Sequence, residues 1–501
     1  MKTVFLLFDS LNRHFLQNAE TLGIPTPNFD RLTARSVSFT NHFVGSMPCM
    51  PARRDIMTGR LNFLHRGWGP LEPFDNAFPA ILNSHGIHTH LSTDHYHYFE
   101  EGGATYHTQY SSFEFFRGQE RDPWKADVSP DMEKIRQTHH RMHLQSFDAF
   151  APRLAYVTNR AQVTDDTQFP SVQCFQAGLD FLETNHAADN WFLQIETFDP
   201  HEPFHAPDAF RRLFNSPYDG PILEWPKYGP VNETDDEIAE LRANYAALLC
   251  LCDAQLGRVL DAFDQYGLWD NTALVVTTDH GFLLGEHDYW GKGQMPLYKE
   301  IAHIPLYMHH PDTADRNGGT CDALTQNIDL MPTFLQFHDA AVPPHVDGVS
   351  LLDALKNGNA RDIAIYGYWG SGVNATDGQY SYFWYPENDR DAPLYQYTLM
   401  PTNMASFFDP GDLAQATLVN EFSFTNGTPV LKVPLTRKDA NILANIEAPS
   451  QLFDIQADPL QTRPLNDTER QGWFQTHILT QLRANEAPAE LYARFARSAQ
   501  T

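Results

Sequence analysis

The chain has 501 residues, 42% hydrophobic and 20% charged, with a formal net charge of −28. That length and apolar content support a large core and more than one domain, and exclude a disordered chain. The charge excludes nucleic acid and anionic membrane surfaces as partners, but leaves room for a small anionic substrate in a locally positive pocket.

The apolar run in MKTVFLLFDS is too short for a secretory signal, so Thr3–Phe8 reads as a buried strand ending at Asp9. No run of about eighteen apolar residues follows, so no membrane span and a cytoplasmic location are expected. PNFDRLTAR is a short helix with Pro27 in its first turn, and SVSFTNHFV alternates like a strand. FPAILNSHG reads as a helix ending at Gly86, followed by the strand IHTHLST. VQCFQAGLDFLETN is helical, and NWFLQIETF is a strand leading to His201. Asp235 to Tyr266 forms a long amphipathic helix, then ALVVTT is a strand delivering Asp279 and His280, and HIPLYMH is one more. Alternating strands and helices predict an α/β fold, a large mostly parallel sheet sandwiched by helices. Ligands of such folds sit at the carboxyl ends of the strands, which is where Asp9, His201, Asp279 and His280 fall.

Past residue 370 the texture changes to short strands (YSYFWYP, PVLKVPL, QLFDIQADP) with irregular connections. Residues 1–370 are therefore expected to form the larger α/β domain. Residues 371–501 form a smaller C-terminal α+β domain whose last thirty residues are an exposed helical tail. The five scattered cysteines do not make a disulfide framework. Cys250 and Cys252 point to different faces of one helix and read as buried.

Cys49 is different. In PCMPARRDIMTGR, Pro51 suits a first helical turn and the helix ends at Gly59. Cys49 thus lies at a helix N-terminus, where anions bind and thiolates are stabilised, with Arg53 about one turn on. Three readings compete: a buried structural cysteine, a thiolate phosphatase, and a cysteine converted to formylglycine. A Cys-x5-Arg phosphatase is refuted by Asp55, the sixth residue after Cys49.

Cys-x-Pro-x-Arg followed by Met-Thr-Gly-Arg resembles the signature of formylglycine-dependent sulfatases, although Ala52 stands where the family usually has Ser. TPNFDRLTARSVSFTN, TTDHGFLLGEHDYWGKG, NIDLMPTFLQ and QLFDIQADPLQTRPL resemble further family segments in the same order. The resemblance implies an alkaline-phosphatase-like fold with residues 1–370 as the catalytic unit. It implies a divalent metal, Ca²⁺ or Mn²⁺, held by Asp9, Asp279, His280 and the modified residue 49. It implies that Arg53 stabilises the nucleophile's oxyanion, that Lys292 binds sulfate, and that His201 donates a proton to the leaving group. His95 and His97 stand near the family's Lys-x-His pair. Alternate residues of an extended segment would place both in one pocket, although a purely structural histidine-rich loop reads equally well. Ser10 and His280 depart from the common arylsulfatase pattern, and the Asp-His pair looks more like phosphonate monoester hydrolases and choline sulfatases. The implied activity is hydrolysis of small anionic sulfate esters, after action by a formylglycine-generating maturation enzyme. The alternatives are a phosphonate monoester or phosphodiester hydrolase and a non-catalytic binding protein. A homo-oligomer is the expected assembly.

Overall fold

Lys2–Phe8 is a central strand because its apolar residues serve two cores at once. Val4, Leu6 and Phe8 face one layer, while Phe5 and Leu7 face the other. The computed structural model describes residues 1–101, 103, 105–141, 152–358, 361–386, 394–435 and 448–496. In the eight-stranded sheet the spatial order is Thr320–Gln326, Val37–Phe43, Leu306–His309, Thr272–Thr278, Lys2–Phe8, Trp191–Thr197, His88–Thr93 and Ser112–Phe115. Leu306–His309 runs antiparallel to both neighbours, and the other pairings are parallel.

Helices cover both faces. Pro170–Asn185 and Asp235–Tyr266 pack on the Val4 side, and Phe78–Ser84 and Leu330–Phe337 on the Phe5 side. The 32-residue helix starts where the Thr234 hydroxyl and Glu237 form a capping box, and stops at Gly267 in the left-handed conformation. Register positions the site. Phe8 is opposite both Thr197 and Thr278, and Thr93 is opposite Glu196. The next residues of four parallel strands therefore emerge at one edge of the sheet.

A five-stranded sheet follows the order Gln451–Asp454, Tyr380–Trp384, Val373–Thr376, Ala364–Tyr368 and Ser46–Met47. It draws strands from both sides of residue 370, and its last strand lies just ahead of Cys49. Composition predicts an exposed C-terminal tail, and here the structure differs. Thr468–Ala484 and Ala489–Ala496 are helices, but Phe474, Ile478 and Leu482 are fully buried, and the Phe495 ring lies 4.6 Å from Trp384. The i, i+4, i+8 spacing makes one apolar stripe that an Ala-, Arg- and Glu-rich composition hides. Among the described residues no helix is long and apolar enough to cross a membrane.

Candidate active site

Cys49 is the first residue of the helix Cys49–Thr58, which ends at Gly59 with φ of 68°. A Cβ there would come within 2.7 Å of Val346 Cγ1, so the turn needs glycine twice over. Asp55, on the same helix, accepts hydrogen bonds from Ser46 N (2.6 Å), Ser46 Oγ (2.7 Å) and Asn62 N (3.0 Å). This carboxyl ties the loops on either side of the helix together.

The structure brings Asp9, Cys49, Asp279 and His280 together, with one ligating atom from each lying within 4.8 Å of all the others, and all four are buried. Cys49 Sγ lies 3.2 Å from His280 Nε2, 3.4 Å from Lys292 Nζ and 3.9 Å from Asp9 Oδ1. Arg53 uses its whole guanidinium inside the cluster. Nε donates to Glu196 Oε1 (2.6 Å), Nη1 to Asp279 Oδ2 (2.6 Å) and to the Cys49 carbonyl (3.2 Å), and Nη2 lies 3.0 Å from Asp9 Oδ2. It lies behind the carboxylates rather than on the pocket wall.

Burial opposes ionisation of Asp9, but Lys292 and Arg53 outweigh it and hold its carboxyl well below the usual range. Burial, with Asp9 close by, pushes Asp279 up to about 7. The helix N-terminus does not make Cys49 a thiolate: burial and Asp9 push its thiol well above the ordinary value. An unmodified Cys49 is therefore a poor nucleophile.

The donor set fits a divalent cation. Two carboxylates and an imidazole face one point. His280 Nδ1 is bonded to the Gly281 carbonyl at 2.9 Å, which leaves Nε2 as the coordinating nitrogen. Burial and Lys292 keep His280 neutral, as a ligand must be.

Of the cluster, Cys49 reaches a cavity of about 780 Å³, which His201, Lys292 and His97 also line. His201 Nδ1 is bonded to the Glu202 carbonyl, and among the described residues no hydrogen bond engages Nε2. Burial and Lys292 hold His201 well below its ordinary value. The segment carrying His95 and His97 is not extended. Tyr96–Phe99 is a short 3-10 helix, which turns the two rings to different tasks. His95 is buried against Asp9 Oδ2 at 3.3 Å, while His97 faces the cavity and pairs with Glu100 at 2.7 Å.

Sequence reasoning missed three residues. Glu196 is the carboxylate that receives Arg53 and Tyr98. Glu202 lines the cavity beside His201, accepts from the Tyr228 hydroxyl at 2.5 Å, and is pushed up to about 7 by burial. Asn327 supports Asp279 by donating to its carbonyl at 2.8 Å. The glutamate one residue after His201 was the only signal available for any of them.

A profile of the sulfatase family matches residues 2–340, and one for the C-terminal region of N-sulphoglucosamine sulphohydrolase matches residues 285–397. The chain is 23% identical to an arylsulfatase of Clostridium perfringens, covering 67% of this chain and 74% of the relative. It is 24% identical to a choline-sulfatase of Rhizobium meliloti, over 70% of each chain. Among solved structures, a phosphonate monoester hydrolase of Agrobacterium radiobacter superposes with a TM-score of 0.62 at 17% identity, covering 97% of this chain and 96% of that one.

Proposed function

Because the chain belongs to the sulfatase family, we propose that it is a sulfuric ester hydrolase whose nucleophile is made from Cys49. The observation that carries this reading is the triple approach of His280, Lys292 and Asp9 to one buried sulfur at the floor of an open cavity. Sγ marks where the oxygens of a formylglycine hydrate would stand. Asp9, Asp279, His280 and residue 49 would hold one divalent cation, Ca²⁺ or Mn²⁺, which when bound eases ionisation of a hydroxyl and polarises the sulfate oxygens.

The protein's own groups do the rest. Lys292 meets the sulfate charge, and Arg53 locks both carboxylates in place. Its role is thus to orient Asp9 and Asp279, rather than to face an oxyanion. A hydroxyl of residue 49 attacks sulfur, its proton passes to Asp279, and the bond from sulfur to the alcohol oxygen breaks. His201 Nε2 supplies the alcohol's proton. The neutral His201 of the free site gains proton affinity when an anionic ester offsets Lys292. His201, neutral after giving up its proton, then takes the second hydroxyl's proton as the carbon–oxygen bond to sulfate breaks, which releases sulfate and restores the aldehyde.

One observation favours a second substrate class. Ser10 Oγ donates to Asp9 Oδ1 (2.8 Å) and accepts from Lys292 (2.9 Å), so a neutral hydroxyl occupies the place of a further carboxylate. Phosphonate monoesters and phosphodiesters carry one negative charge, as sulfate esters do, and such a site would accept them as secondary substrates.

The test joins chemistry to turnover. Protein made beside a maturation enzyme should carry an aldehyde or its hydrate at residue 49, read by peptide mass, and should cleave sulfate esters. Cys49→Ala should lose nearly all activity and Cys250→Ala should not. A fully active preparation holding only the Cys49 thiol would refute the reading.

A further inference from the structure

Two buried carboxyl groups outside the cluster join the loops that carry its histidines. Asp94 follows the strand His88–Thr93 and precedes His95, and Asp199 follows the adjacent strand Trp191–Thr197 and precedes His201 by two residues. One amide bridges them: Gln119 Nε2 donates to Asp94 Oδ2 at 2.8 Å and to Asp199 Oδ1 at 3.3 Å. The outer oxygens are also held. Asp94 Oδ1 accepts from Phe198 N at 2.6 Å, and Asp199 Oδ2 from Ser171 Oγ at 2.5 Å.

Asp94 thereby governs Phe198, and Phe198 governs both histidines. Its carbonyl accepts from His201 N at 2.9 Å, and its ring centroid lies 5.0 Å from that of His95 and 4.3 Å from that of His201.

Among the described residues, the groups around the pair supply no paired countercharge. Glu196 and the thiols of Cys174 and Cys252 face it from neighbouring elements. Glu120, Tyr156, His205 and Arg160 lie with Asp199 around a small cavity, and Arg160 is paired with Glu224. Among the described residues no Lys, Arg or His forms an ion pair with Asp94 or Asp199. Two carboxylates sharing a buried site with only neutral donors cannot both ionise cheaply. Burial, reinforced by Asp199, holds Asp94 well above the usual carboxyl range, and burial raises Asp199 to about 6.

We propose that Asp94 and Asp199 are positioning residues, a carboxyl clamp sharing one proton that sets the spacing of His95 and His201 and opens when that proton is lost as pH rises. The catalytic half of this inference rests on the hydrolase reading above.

The sign follows from linkage. A carboxyl raised on folding contributes stability fully below its unfolded pKa, about 3.9, and loses it as pH rises through the folded value. The test uses Asp199→Asn and Asp94→Asn in the full-length, metal-loaded protein, each amide imitating a protonated carboxyl. Urea unfolding is followed from pH 5 to pH 9, and kcat and KM against pH with an alkyl sulfate. Wild type should lose stability toward alkaline pH, and its kcat should fall there with KM little changed. Either variant should flatten the stability slope and move the alkaline inflection in kcat up by about one pH unit or more. Wild-type slopes and inflections in both variants, or an alkaline effect on KM alone, would overturn the clamp. Two variants guard against one failing to fold. The unfolding slope needs no substrate, so it decides the clamp even where the hydrolase reading fails.

Discussion

His201 has one nitrogen fixed and the other facing the cavity, so its contribution should depend on the leaving group. A phenol of low pKa departs as an anion with little help, whereas an alkyl or sugar alkoxide does not. His201→Ala should lower the rate of ester cleavage about 10²–10⁴-fold for alkyl sulfates and far less for activated aryl sulfates, measured across a leaving-group series. Equal losses across the series would make His201 a pocket-shaping residue. At this scale the sequence was informative wherever a polar residue ends an apolar strand or begins a helix, as Asp9, Asp279, His280 and Cys49 do. It was silent on Glu196, which sits inside a strand and meets Arg53 only through the pairing of strands far apart in the chain. It left the directions of the His95 and His97 rings open, because one 3-10 turn decides which way each points.

At the scale of elements, runs with clear periods and clear ends were legible. The helix Asp235–Tyr266 is bounded by a capping box and a left-handed glycine, both local features. The C-terminal helices were not legible as core, because their burial depends on strands Tyr380–Trp384 and Gln451–Asp454, which present Tyr382, Trp384 and Leu452 to them. Phe474 is fully buried, with its ring 5.8 Å from that of Tyr382. Phe474→Ala should therefore cost about 3–5 kcal/mol in denaturant unfolding, as a cavity in a packed interior does. An exposed tail would give a change within about 0.5 kcal/mol.

For the molecule as a whole, a net charge of −28 surrounds a cavity meant for an anion. Long-range repulsion should slow the encounter at low salt. Raising ionic strength toward the physiological value, where the Debye length is about 8 Å, should increase kcat/KM for a sulfate ester and leave kcat nearly unchanged. A fall instead would show that the lysines and arginines near the cavity dominate the field. The pairing of Ser46–Met47 with Gly367 and Tyr368 has a consequence in time. The strand that closes beside Cys49 leaves the ribosome roughly 320 residues after it, about 15–60 s later at ordinary rates of synthesis. Under the proposed conversion of Cys49, that interval is when the segment around it still lacks its sheet partner, and the completed sheet ends it.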